Sequence, residues 1–137
     1  MTEVNIIYPF DKDAASNILK GKQTWYVPSQ RATVVPNTIM IYLTEARSII
    51  GSVDVVEEVY RSASTIYNLV YPDEEDTWEN RHNFWEKNRS KSKMAAYRLK
   101  NPKLFSRPMS LSELLPDKDG PRNGVLYHGP IPEEVYV

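Results

Sequence analysis

A chain of 137 residues, 41% apolar and 26% charged, has the size and composition of one globular domain rather than of a disordered segment. It has no cysteine, which excludes disulfides, thiolate chemistry and Cys-based zinc sites, and no apolar run near the roughly 18 residues that a membrane span requires. A net charge of −1 points to no partner by itself.

The first segment, "EVNIIY" (residues 3–8), is apolar and β-favouring and stops at Pro9, so it reads as a strand. No basic flank precedes it, so it is not read as a signal peptide, and the cytoplasm is the default compartment. Asp11 is placed to cap a helix over about 12–20, with Ala15, Ile18 and Leu19 inward and Gly21 at the left-handed stop. "QTWYV" (23–27) is a strand ended by Pro28, and its alternation sends one of Trp25 and Tyr26 inward and the other outward. "TIMIYLT" (38–44) is apolar almost throughout, as expected of a strand covered on both faces. "IIGSVDVVEEVYR" (49–61) alternates, placing Val53, Val55 and Val59 on one face; Gly51 marks a bulge or a close backbone approach.

Ser62 or Ser64 caps a short helix through "TIYNLV", and a second helix is expected over about 76–88. There Phe84 and Trp85 read as the buried face, while Trp78, Arg81, His82 and Trp85 recur at spacings of three and four. "MAAYRLK" (94–100) is a strand with Ala95, Tyr97 and Leu99 inward and Arg98 and Lys100 outward. "SLSE" (110–113) is a capping box ahead of Leu114. Residues 1–137 are expected to form a single domain, with 117–137 a Gly- and Pro-rich loop tail carrying one short strand at 125–127.

Charge is unevenly distributed. Residues 71–80 carry five acids and no base, whereas 81–107 carry nine bases and one acid, Glu86. Such a basic third suits local contact with a polyanion, and equally suits a solvated face partly neutralised by the acidic loop before it. Chemical motifs are few. His82 and His128 are the only histidines, and "DEED" lacks EF-hand spacing, so no metal and no cofactor is expected. Phosphate-loop, dinucleotide and Gly-x-Ser-x-Gly patterns are absent. What remains is "KGKQTWYVPSQR", where cations, amides and a hydroxyl stand beside two large aromatics, the equipment for stacking an unpaired base over a phosphate contact.

In its order of segments the chain resembles the ASCH domain, a member of the PUA-like superfamily of small β-barrels associated with RNA. The likeness runs over about residues 4–116, through "ILKGKQTWY", "IMIYLTEA", "IIGSVDVVEEV", "FWEKN", "AAYRL" and "LFSRPMSLSEL". It implies an α+β fold, a small mixed β-barrel of about five to six strands with peripheral helices. The family motif Gly-x-Lys-x-x-Glu-x-Arg, set on Gly21, places its lysine on Gln23, its glutamate on Tyr26 and its arginine on Pro28; the glycine alone is kept, with Lys22 displaced by one. Some ASCH proteins are acetylcytidine amidohydrolases, with that lysine and a threonine where this chain has Tyr26. Thr24 lies two residues earlier. A cleft rebuilt around an aromatic suits binding a base better than cutting an amide.

The expectation is therefore a module for RNA or single-stranded nucleic acid, with no membrane contact. Lys22, Gln23, Thr24, Tyr26, Gln30 and Arg31 would line the base cleft, Tyr42, Thr44 and Arg47 its facing wall, and Arg89, Lys91, Lys93, Arg98, Lys100 and Arg107 the phosphate path. Two alternatives stand beside it: a hydrolase of nucleosides or nucleic acids using Lys22 and Thr24 with Glu45 or Glu57, and a protein-interaction module using the 73–76 loop and the Pro-rich tail.

Overall fold

A computed structural model describes residues 4–28, 32, 34–114 and the backbone of 125–128. In chain order these form β1 (Val4–Phe10), α1 (Lys12–Leu19), β2 (Trp25–Tyr26), β3 (Thr38–Leu43), β4 (Ser48–Ser62), α2 (Ala63–Val70), α3 (Trp78–Asn88), β5 (Lys93–Met109) and β6 (Val125–His128), with 3-10 turns at Asp73–Glu75 and Leu111–Glu113. The fold is α+β, with one mixed six-stranded sheet in the order β2-β5-β4-β3-β1-β6. β1 and β3 are parallel, joined through α1 and β2, and the other neighbours pair antiparallel. The expected strand at 125–127 is β6; the rest of the tail lies outside the described residues. No helix among the described residues is long and apolar enough to cross a membrane.

Each helix start is set by a short polar side chain. Asp11 accepts from the Ala14 N–H at 2.8 Å, Ser62 from Thr65 at 3.4 Å and Thr77 from Asn80 at 3.1 Å, satisfying donors that no helical carbonyl can reach. α1 ends in a Schellman turn: Gly21 takes φ +74°, its N–H reaches the Ile18 carbonyl and that of Lys22 reaches Asn17, both at 3.0 Å. The capping box at Ser110 and Glu113 is formed, although it opens only a 3-10 turn.

Both faces of the sheet are covered. On one, Ile6, Tyr8, Phe10, Ile39, Ile41, Tyr97 and Leu99 pack with Ala15 and Ile18 of α1. On the other, Ile7, Met40, Tyr42, Ile49, Phe105 and Met109 form a second cluster, and α2 and α3 build a third over Met94 and Ala96. The apolar residues of β3 alternate between the first two clusters, which explains its nearly unbroken apolar sequence.

The long strands β4 and β5 bend through register shifts. Between Val55 and Glu57 the extra residue, Val56, is turned outward and reverses the inward–outward parity of the residues after it. Val59 therefore leaves the face of Val53 and Val55 and joins the third cluster, unlike the sequence expectation. β5 runs well past residue 100, because Asn101 at φ +53° and Pro102 occupy a bulge rather than ending the strand.

The sheet curls. Tyr26 of β2 lies 5.0 Å, ring to ring, from both Tyr8 and Phe10 of β1, although β5, β4 and β3 stand between those strands in the order. No backbone pairing joins β1 to β2 among the described residues, so this approach is a seam of aromatic rings. Gly51 allows α1 to press on the curl, since a Cβ there would lie 2.6 Å from the Lys103 carbonyl oxygen and 2.8 Å from Leu19 Cδ2. Replacing Gly51 by Ala should destabilise the fold by about 1–3 kcal/mol, read as a lowered urea midpoint with an unchanged slope.

Candidate functional site

Two adjoining grooves open along the edge strand β2. The first, ≈ 470 Å³, is lined by Asn17, Lys22, Gln23, Thr24 and Trp25 on one side and by Leu69, Val70, Tyr71, Pro72, Glu75 and Asn80 on the other. The second, ≈ 580 Å³, lies over the aromatic seam. Its walls include Tyr8, Phe10 and Tyr26 from the sheet and Phe84, Lys87, Asn88 and Lys91 from α3 and the residues after it. Gln23, Trp25, Val70 and Tyr71 line both, so the two form one continuous cleft between the sheet edge and the helices.

Local structure aims these groups. The Schellman turn directs Lys22 and Gln23 off the end of α1, with the Gln23 N–H also held by the Asn17 carbonyl at 3.1 Å. The Gln23 side-chain amide donates to the Trp25 carbonyl at 2.8 Å, and the Thr24 carbonyl accepts from Leu99 at 2.8 Å, so the short edge strand is fixed on both sides. Trp25 and Tyr26 are both half-buried: Tyr26 packs on the first cluster and Trp25 on the third, because α2 and α3 cover the face that alternation would have left to solvent.

Beneath Tyr26 lies a chain of hydroxyls. Tyr8 donates to Tyr97, and Tyr97 donates to Glu58 while accepting from the Ala32 N–H at 3.2 Å. Burial, reinforced by Tyr97, Tyr26 and Glu58, raises the pKa of Tyr8; burial also raises that of Tyr97, partly offset by its hydrogen bonds from the Ala32 N–H and the Tyr8 hydroxyl; and burial followed by Tyr97 raises that of Tyr26. The Tyr26 hydroxyl has no hydrogen-bond partner among the described residues, so it is a neutral donor at the cleft wall. Burial also raises Tyr67 and Tyr71, the latter further under the influence of Glu75. Folded phenols with raised pKa favour the native state below about pH 10 and lose that contribution as pH rises beyond it. Phenolate absorbance at about pH 11 should therefore jump when denaturant unfolds the chain, rather than being complete in the folded state.

The far wall is set by one carboxylate. Asp76 accepts from the Tyr67 hydroxyl at 2.6 Å and from two nitrogens of Arg81, Nε at 3.2 Å, while Arg81 lies 5.7 Å from the centre of the Tyr67 ring. This ties the start of α3 to α2 and gives the acidic loop a structural purpose. The Tyr67 hydrogen bond, then that of Arg81, holds the Asp76 pKa below the ordinary carboxylate range. A depressed folded pKa contributes stability that is present above about pH 3.9 and is lost as pH falls through the folded value. Asp76→Asn should accordingly be less stable than the parent at neutral pH, and the gap in urea midpoint should close below about pH 3.

The structure brings together part of the sequence-expected set. Lys22, Gln23, Thr24 and Tyr26 line the cleft; Gln30 and Arg31 lie outside the described residues. Tyr42 requires a correction: it is buried in the second cluster, on the sheet face opposite Tyr26, and forms no cleft wall. Thr44 and Arg47 stand in the exposed β3–β4 turn, Thr44 bonded to the Phe10 carbonyl, and neither lines the cleft. Of the expected phosphate path, Lys91 lines the cleft and Arg89 faces the opposite flank of α3. Lys93 lies 6.0 Å from the centre of the Tyr60 ring, Arg98 is paired opposite Trp25 and 4.0 Å from Glu57, Lys100 is paired opposite Asp54, and Arg107 is 3.2 Å from Glu113. Neither Glu45 nor Glu57 lines the cleft; the carboxylate that lines the same groove as Lys22 and Thr24 is Glu75, on the opposite wall. Lys87, Tyr71, Asn17 and Asn80 were not anticipated. The spacing of Lys87 from Asn83 and Lys91, four residues each way, was the available signal.

By sequence, no family model and no curated protein matches the chain. By structure, it is similar to the ASCH protein of Zymomonas mobilis, at a TM-score of 0.70 and 21% identity over 88% of this chain and 85% of that one. A serine-to-alanine variant of that protein gives a TM-score of 0.72 at 18% identity, covering 95% of this chain and 89% of the other. The N-terminal domain of Staphylothermus marinus McrB is more distant, at a TM-score of 0.51 and 12% identity over 96% of this chain and 90% of that one. The likeness is one of fold: the chain shares the fold of the Zymomonas mobilis ASCH protein.

Proposed function

We propose that residues 1–137 act as one PUA-like module that binds RNA or another single-stranded nucleic acid in the cleft along β2. The observation that carries this reading is the meeting of Tyr26 and Trp25 with Lys87 and Lys91 across a single groove. An unpaired base has aromatic surface to stack on, and its phosphate has cations opposite. Lys87 makes no ion pair among the described residues, so its charge is available to a ligand. Gln23, Thr24, Asn17 and Asn80 offer amide and hydroxyl groups along the continuing groove, where the edge of a base would lie. A duplex presents no free base face and has no comparable fit.

Titration of a labelled single-stranded octanucleotide, followed by anisotropy, tests this reading. Affinity should fall with rising salt, with a log–log slope of about −0.7 per phosphate engaged. Joint substitution of Lys87 and Lys91 by Ala should flatten that slope by about 1.4. An affinity independent of salt, or equal for a duplex of the same sequence, would rule the reading out.

A further inference from the structure

α3 separates two surfaces. Asn83, Phe84, Lys87 and Asn88 face the cleft, while Trp78, Arg81, His82, Trp85, Glu86 and Arg89 line a groove of ≈ 340 Å³ on the opposite flank. On this outer flank Trp78 is 77% exposed, contributing little to the core for so large a side chain. Its indole is stacked on the His82 ring with centroids 5.0 Å apart and planes within 5°, so one face is supported while the ring remains open to solvent. Trp85, half-buried against the third cluster, makes the floor.

The shelf carries two arginines and one acid. Arg81 is engaged with Asp76 but remains at the groove, Arg89 has no ion pair among the described residues, and Glu86 is the opposing acid. A shelf of aromatic rings beside Arg89 takes a flat, anionic ligand better than an apolar helix, which would cover that guanidinium without supplying it a partner. Lys87 on the inner flank, Arg89 at the helix end and Lys91 just beyond it straddle the last turn of α3, marking a crossing point for a phosphate backbone.

Resting on the cleft reading above, we infer that the outer flank of α3 is a second base-stacking site, occupied by a nucleotide of the same strand after it passes over the helix end. The cleft alone would hold a very short ligand, whereas a longer strand would reach Trp78. The test compares a dinucleotide with an octanucleotide on the full chain. Trp78→Ala should weaken octanucleotide binding by roughly five- to a hundredfold and leave the dinucleotide unchanged, while Trp78→Phe retains most of the affinity. The octanucleotide should also quench a tryptophan emission component that the Trp78→Ala protein lacks.

Unchanged octanucleotide affinity in Trp78→Ala would overturn the inference and leave the shelf as a surface for protein contact. Equal losses for both lengths would also overturn it, by showing a general structural effect. Failure of the parent protein to bind either oligonucleotide would remove the cleft reading as well. Binding by the parent with no dependence on Trp78 would remove the second site alone.

Discussion

The fold depends on one seam of rings. β2 contributes two residues to the sheet, too few for backbone pairing alone to hold an edge, yet Tyr26 brings it against Tyr8 and Phe10 at the other side of the curl. Such ring pairs contribute about 0.5–1.5 kcal/mol each beyond the area they bury. Tyr97, opposite Tyr26 in register and fully buried, completes the packing and carries its hydroxyl to Glu58 through a satisfied network. The seam therefore does two things at once. It closes the apolar core on its inner side, and on its outer side it supplies the aromatic floor of the cleft.

The opposite wall depends on a different kind of contact. α3 buries chiefly Phe84 and Asn88, a narrow face for eleven residues, so packing alone fixes its tilt weakly. Asp76 compensates by taking hydrogen bonds from both Tyr67 and Arg81 just before the helix begins. The remaining sides of α3 are then left to polar and aromatic groups that the core does not need. That is why the helix can present lysine toward one groove and tryptophan toward the other.

Much of the architecture was legible because local signals agreed with tertiary packing. The caps at Asp11 and Ser62, the left-handed stop at Gly21 and the two-sided burial of β3 all follow from residue types at fixed positions. Val59 and the length of β5 were not legible, because alternation assumes an unbroken ladder and a bulge resets it without a distinctive residue. Tyr42 is instructive: its strand was already read as covered on both faces, and that reading implied a buried ring rather than a cleft wall. Trp78 escaped for the opposite reason. Helical spacing grouped it with Trp85, but spacing cannot say which side of a helix meets the core.

The differences from the ASCH motif around Gly21 acquire a physical sense in this arrangement. A lysine at Gln23 could not supply the amide that holds the Trp25 carbonyl together with a charge for the groove, and a threonine at Tyr26 would remove the ring that joins β2 to β1. A chain that relies on Tyr26 for closure cannot exchange it for a small hydroxyl residue without opening its own seam. Positive charge stands instead at the neighbouring Lys22 and across the cleft from the ring, at Lys87 of α3 and Lys91 just beyond it. Positive charge is thus set opposite an aromatic floor, rather than beside a hydroxyl within one strand, and on that geometry the proposed stacking of a base rests.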